Sequence, residues 1–518
     1  MKELQTLSIV APGFFGLNTE ESGVTLSTNF AQLADNTVID KFGRLGARKG
    51  WLMKTEDGVD ELSGENITFL MEHVNADNTT ITLSGGNNKL FTGGDAGDVL
   101  TDITPALYTI TADYWRGASI YDHALLVQAD HEPIVYTEAA SPVAQTITDY
   151  CSDGTPNFGT SYPKGVIAAY GRFWTFTDDT VYWSTDIADS TFPAFYGGTS
   201  GFLNIAAVLP NNVDTITGLA SHNGFLIIFC KNNIVLYSGA NDVIGSFAFA
   251  DVIAGVGCSI DKSIQGTGND LIFLSDTGIR SLGRLIQEKS LPLRDLTKNI
   301  RQEFIEDILF EVEETGSLEK VCSVYSEDNA FYLLSFPTSK TVYCLDMKQS
   351  LEDGSARITV WYPYEATAFI RKRDKTVLIG KLDGIGAYEG YSDNGESYRI
   401  RFESHYSDFG SPTTIKILKK IKVTVFGGFG QECSIKVAAD YNGDSSSYPF
   451  TIEGYTPSYY GTSEYNVGEY TTGVSIDKIS SSVGGSGTVI QFGFEANVNN
   501  YELSLQSLDA FVKTGRVD

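Results

Sequence analysis

The sequence predicts an all-β protein: a β-propeller of six to eight blades, seven favoured, between an N-terminal strap and a C-terminal β-domain. Three observations predict it. The first is composition. Of 518 residues, 12% are aromatic and 52 are Gly, against only 14 Pro, which suits a β-rich globular chain and not a disordered one. The second is internal repetition. Seven stretches beginning near 66, 118, 167, 219, 265, 321 and 369 share one grammar. A short apolar strand leads to a polar turn, an apolar strand follows, and a second polar turn precedes a third strand. The spacing of roughly 45–55 residues is the length of a four-stranded blade. The third is the change of pattern at both ends of that array.

The strap, 1–60, carries Gly and Asn turns and then STNFAQLADNTVIDKFGRLGARKGW, with a short helix expected from about Thr28 to Ile39. The propeller is expected over 61–397. Its strands are short and rich in Val, Ile, Phe, Tyr and Thr, the residues that fit a pleated surface. A helical insertion is expected near 296–310, where Ile300, Phe304 and Ile308 recur at helical spacing, to dock on the propeller rim. The C-terminal β-domain is expected over 398–518. RIRFESHYSDFG, TTIKILKKIKVTVFGG and CSIKVAADYNGD alternate with period two, and the last thirty or so residues read as two strands. Residues 456–488 read as loop.

Charge excludes some functions. The 37 Lys and Arg against 65 Asp and Glu give −28, a poor match for a protein that grips phosphate backbones. The deficit is concentrated: residues 55–163 hold seventeen acids and two basic residues, Lys89 and Arg116. There is no apolar run of 18 residues for a transmembrane helix, and the first twenty residues lack the apolar core of a signal peptide. The six cysteines form no CxxC pair, and Cys230 and Cys344 sit in apolar runs as core residues.

No catalytic, cofactor-binding or metal-binding constellation emerges, and the chain is expected to be no enzyme. GxSxG, HExxH and Walker patterns are absent. Asp440, Asn442 and Asp444 begin like a calcium loop, but Gly443 is misplaced and no Glu closes it, so a hairpin turn is expected. His123 and His131 flank one hairpin and are expected to be close, as hairpin residues first and metal ligands second. SDTG at 275–278 and SDNG at 392–395 are near misses to sialidase boxes. Ile415, Ile417 and Ile421 alternate with Lys416, Lys420 and Lys422, as on an edge or half-exposed strand. With Lys419, these lysines are the candidates for docking a partner.

Two tracts together resemble the tail nozzle proteins of short-tailed bacteriophages, also called tail tubular protein B. In the first, Gly16-Leu17-Asn18 precedes a phrase carried by Ala34, Asn36, Asp40, Gly43, Leu45, Arg48 and Gly50. The second is SDFGSPTTIKILKKIKVTV, with Asp408, Gly410, Pro412 and Lys416. The resemblance implies a structural virion protein: a homohexameric ring at the distal tail that channels and gates the genome during ejection. It implies an adaptor or head–tail connector ring above, fibres or spikes outside, and assembly in the host cytoplasm. DNA then passes through without specific binding, and an acidic wall sheds a polyanion. Asp95, Asp98, Asp102 and Asp113 are the candidates for carboxylates facing it. The alternative is a propeller that binds or hydrolyses glycans.

Overall fold

In a computed structural model, the described residues are 4–22, 26–55, 62–151, 154, 156–187, 192–209, 214–243, 245–283, 295–442, 445–453 and 476–517. The repeats are blades. Among the described residues five four-stranded sheets, one three-stranded sheet and the first four strands of a nine-stranded sheet follow each other round a ring. Their innermost strands are Phe69–Val74, Arg116–Ile120, Gly165–Ala169, Ile216–His222, Gln265–Gly266, Cys322–Ser326 and Ala368–Arg371. The fifth sheet, the shortest, is the one with three strands. The last innermost strand packs on the first and closes the ring. The chain is a β-propeller.

Period-two alternation explains why blades stack. Leu126 and Ile134 of the second blade join Met71 and Leu83 of the first. Their neighbours Leu125, Val127 and Val135 point the other way and join Phe173 and Tyr182 of the third. The fourth blade does the same, Ile228 and Val235 facing the third and Ile227, Phe229 and Ile234 facing the fifth. Each strand therefore feeds two cores, which a sheet with one wet face cannot do. The last blade takes its outermost strand, Trp51–Met53, from the N-terminal tract, antiparallel to Gly384–Tyr388.

Downstream of residue 397 two sheets share one core. One continues the sixth blade: Arg357–Trp361 neighbours Ala31–Asp35, and the order runs on through Tyr398–Ser404, Ile490–Val498, Glu432–Ala439 and Ser446–Thr451. The other holds Thr414–Gly427 at its centre, between Leu503–Val517 and the two strands Ile476–Ser481 and Gly485–Gly487. Leu4–Val10 covers the far edge of Leu503–Val517. Val423, Val425, Leu508 and Ala510 face Ile435, Phe492 and Phe494 across the shared core.

Three local expectations are corrected. The short helix from Thr28 to Ile39 is instead two strands, Ala31–Asp35 and Thr37–Ile39. Asn36 separates them with φ 53, and its amide bonds the Tyr362 and Arg399 carbonyls at 2.6 and 2.9 Å, so tertiary partners fix a turn that a helix cannot contain. The inserted helix spans Arg301–Thr315, beyond the expected end, because its second half is also held: Ile308 and Glu311 are buried, and Glu311 accepts from Thr338. Of the loop expected at 456–488, residues 454–475 lie outside the described set, while Ile476–Ser481 and Gly485–Gly487 are strands held by Thr414–Gly427. No helix among the described residues is long and apolar enough to cross a membrane.

Candidate functional site

The propeller axis is where the blades bring distant charges together. Arg116 opens the second innermost strand. Its Nε and Nη2 reach both oxygens of Asp261 at 2.7–3.1 Å, and Nη2 reaches Glu319 at 2.6 Å. Burial opposes the Arg116 charge, but these two carboxylates outweigh it and hold the guanidinium firmly protonated. Lys262 lies beside them and donates to the Glu319 carbonyl at 3.0 Å. Burial, then the Arg116 charge, pushes its amine down to about 8.

This cluster stands between two cavities. One of about 510 Å³ opens at the ends where the innermost strands begin, and its polar lining includes Glu65, Asp113, Lys262, Glu319, Lys320 and Glu365. The other, about 360 Å³, lies among the second to fifth innermost strands and is bordered by Arg116, Asp261 and Lys262. Among the described residues these ion pairs join the starts of the second, fifth and sixth innermost strands between two polar cavities. Asp113 Oδ1 and Asn66 Oδ1 are buried beside the first cavity without a partner among the described residues.

The four acidic candidates do not share one wall. Asp95 pairs with Lys372 at 2.6 Å, and Asp98 accepts the Asp95 amide at 3.0 Å in the same loop. Asp102 ends the outermost strand of the first blade and faces Lys89 at 3.5 Å. Asp113 alone borders the axis, where burial raises its carboxyl above the usual range. They separate because the chain from Asp95 to Asp113 leaves the first blade's outermost strand and returns to the axis, where the second innermost strand begins.

Of the lysine candidates, Lys416 is fully buried and unavailable for docking. Its amine donates to the Thr488 carbonyl at 2.6 Å and to the Ser411 carbonyl. Its strand is central, with partners on both sides, and not an edge. The register slips between Leu418 and Lys420, so the bulge at Lys419 inverts the alternation read from sequence. Leu418 faces the core before it, and Ile421 and Val423 after it. Lys419 and Lys422 are exposed and Lys420 is half-buried.

His123 and His131 stand at opposite ends of their hairpin, since Ala124 pairs with Tyr136 while Gln128 pairs with His131. His123 bonds the Tyr150 hydroxyl at 2.7 Å, and burial lowers its pKa. No group of three His, Cys, Asp or Glu among the described residues is placed to hold a metal. Asp440 takes φ 53 in its turn and accepts from the Thr488 amide at 2.6 Å, so it is already committed; Gly443 and Asp444 lie outside the described residues.

The phrase residues form a latch. Arg48 is fully buried, clamped between the Tyr364 and Tyr398 rings at 4.4 and 4.1 Å, with Nε on Asn36 Oδ1 at 2.8 Å. Asp40 bonds the amides of Phe42 and Arg44 at 2.7 and 2.9 Å, and Gly43 takes φ 74 in that turn. Ala34 and Leu45 are core. Gly50 runs so close to Ser392 that a Cβ would lie 1.9 Å from its carbonyl oxygen. Asp408 accepts from the Gly410 amide at 2.8 Å in the turn that Lys416 braces.

No family model and no curated protein matches the chain. Solved structures do. One is YCF48 bound to D1 peptide: 11% identity, TM-score 0.38, covering 65% of this chain and 97% of that one. Another is the Neurospora crassa Pan2 WD40 domain: 8% identity, TM-score 0.38, covering 66% and 96%. A third is the extracellular domain of a putative one-component system from B. thetaiotaomicron: 15% identity, TM-score 0.32, covering 75% of this chain and 40% of that one.

Sequence reading missed the axial cluster. Its one signal was the isolation of Arg116, one of two basic residues among seventeen acids in 55–163. A lone cation in such a tract has a structural assignment, but its partners Asp261 and Glu319 are remote in sequence.

Proposed function

We propose that this chain is a structural, non-enzymatic ring subunit of a short-tailed phage nozzle, one that conducts the genome between copies and anchors neighbouring tail proteins. The observation that carries the reading is the latch. The phrase Ala34–Gly50, on which the resemblance rests, ties the strap, the sixth and seventh blades and the C-terminal sheets together through Asn36, Arg48 and Gly50. The resemblance ties such a phrase to the nozzle architecture. The net charge of −28 supports a conduit that sheds DNA. The ion pairs on the axis support passage between protomers and not through one propeller.

The test is electron microscopy of the purified chain with its neighbouring tail proteins. A six-fold ring at a tail tip is expected, and separate globules in the presence of those neighbours overturn the reading. The axial cavity, with Glu65, Asp113 and Glu365 around about 510 Å³, favours the second reading, a glycan-binding or glycan-cleaving propeller. Saturable oligosaccharide binding that Asp113→Asn abolishes supports that reading instead.

A further inference from the structure

The outer face of the C-terminal sheet is basic in an acidic chain. Residues opposite one another in register share a face. Lys420 is opposite Phe511, Lys422 opposite Asp509 and Ser480, and Thr424 opposite Lys478. Leu4 is opposite Lys513. Lys420, Lys422, Lys478 and Lys513 therefore project from one side with a single acid, Asp509, and none of the four is in an ion pair among the described residues. Apolar groups stand among them: Leu4 is 58% exposed and Ile476 56%.

Elsewhere the helix Arg301–Thr315 presents the complement. Its inner side, Phe304, Ile308 and Glu311, is buried in the chain's own core. Its outer side carries Ile305, Leu309 and Val312 at i, i+4 and i+7, with Leu309 60% and the adjacent Phe310 42% exposed. Glu306, Glu313 and Glu314 flank this stripe and are exposed. A surface helix normally has one apolar face. This one has two, and only one is covered.

We propose that the lysine face of the C-terminal sheet docks the helix Arg301–Thr315 of a second copy of this chain. The inference rests on the ring reading and deepens it by naming the two surfaces. The contact is heterologous, and repeating it gives a ring where its rotation closes. A helix of 15 residues is about 22 Å long and 10 Å across, and the four strands from Leu4–Val10 to Ile476–Ser481 span about 15 Å. Carboxylates meet amines, and Leu309 and Phe310 meet Ile476, which stands beside Lys478 and Lys422 on the face. Nucleic acid supplies the charge but no apolar stripe. Mutual repulsion of the two acidic chains is screened beyond about 8 Å at physiological salt, while the local pairs are not.

The test uses two charge-reversed chains, K422E/K478E/K513E and E306K/E313K/E314K, followed by sedimentation velocity after thermal melts have shown both folded. Wild type is expected to associate, each variant to associate at least tenfold more weakly, and their equimolar mixture to recover, because the reversed faces complement each other. Full association by both variants overturns the proposed surfaces and leaves the ring reading standing. So does loss in both without recovery on mixing. A wild-type chain that stays monomeric at every concentration also overturns the docking, and the six-fold particle with tail neighbours then judges the ring separately. Duplex DNA bound by wild type and lost by the lysine variant overturns it in favour of nucleic acid.

Discussion

Arg48 grips Asp393 with two parallel bonds, Nη1 to Oδ1 at 2.8 Å and Nη2 to Oδ2 at 2.7 Å, across 345 residues of chain. The guanidinium is fully buried while the carboxylate keeps one edge near solvent. Removing one partner strands the other. Arg48→Ala is expected to cost about 3–5 kcal/mol, and Arg48→Lys to recover little of it, since an ammonium cannot span both oxygens and Asn36 Oδ1. Urea unfolding measures both. A loss under about 1 kcal/mol for Arg48→Ala would remove the latch from the account of stability.

The close approach at Gly50 makes a separate prediction. A methyl there meets the Ser392 carbonyl oxygen at 1.9 Å, and backbone must move. Gly50→Ala is expected to destabilise by about 3 kcal/mol and to loosen the strand Trp51–Met53 from the last blade. Limited proteolysis checks it: new cuts near 50–55 are expected in the variant and not in wild type.

Lys381 sets a pH dependence. Its amine lies over the Trp51 and Tyr364 rings at 4.4 and 4.3 Å, which favour the cation, yet burial outweighs them and, with the Arg48 charge, pushes it down to about 7. The unfolded lysine titrates near 10.4. Between about 7 and 10.4 the unfolded chain therefore holds the extra proton, and raising pH stabilises the fold through this group. Comparing pH 6.5 with pH 8.5, Lys381→Met is expected to lose stability relative to wild type as pH rises. An unchanged difference between the two proteins refutes the assignment.

All six cysteines are free and buried, and burial raises the thiols, those of Cys230, Cys258, Cys322 and Cys433 to about 12. A thiol reagent needs thiolate and access. Labelling at pH 8 is expected only after denaturation. Rapid labelling of the native chain would show that the propeller opens readily, or, at Cys433, that the C-terminal core does.

Much of the fold was legible because blades are local. A hairpin such as 123–136 pairs neighbours in sequence, so its period and polar turns mark it directly. The candidate site was less so. Asp95 and Asp113 look alike in sequence, but one meets Lys372 at the first blade's loop and the other borders the axis. Lys416 and Lys422 belong to one alternating run, yet a single bulge buries the first and exposes the second. A one-residue slip leaves composition unchanged and reverses every side chain after it.

By itself the sequence determined the repeat, the strand-rich composition, the acidic balance and the change of pattern beyond residue 397, because these follow from hydrophobic period and charge, which neighbours along the chain carry. Only the tertiary structure decided that Trp51–Met53 completes the last blade, that Arg116 finds Asp261 and Glu319, and that Arg48 finds Asp393. Those pairs are separated by 145 residues or more. Nothing local distinguishes the chosen carboxylate from the many others, and closure of the ring is what selects it.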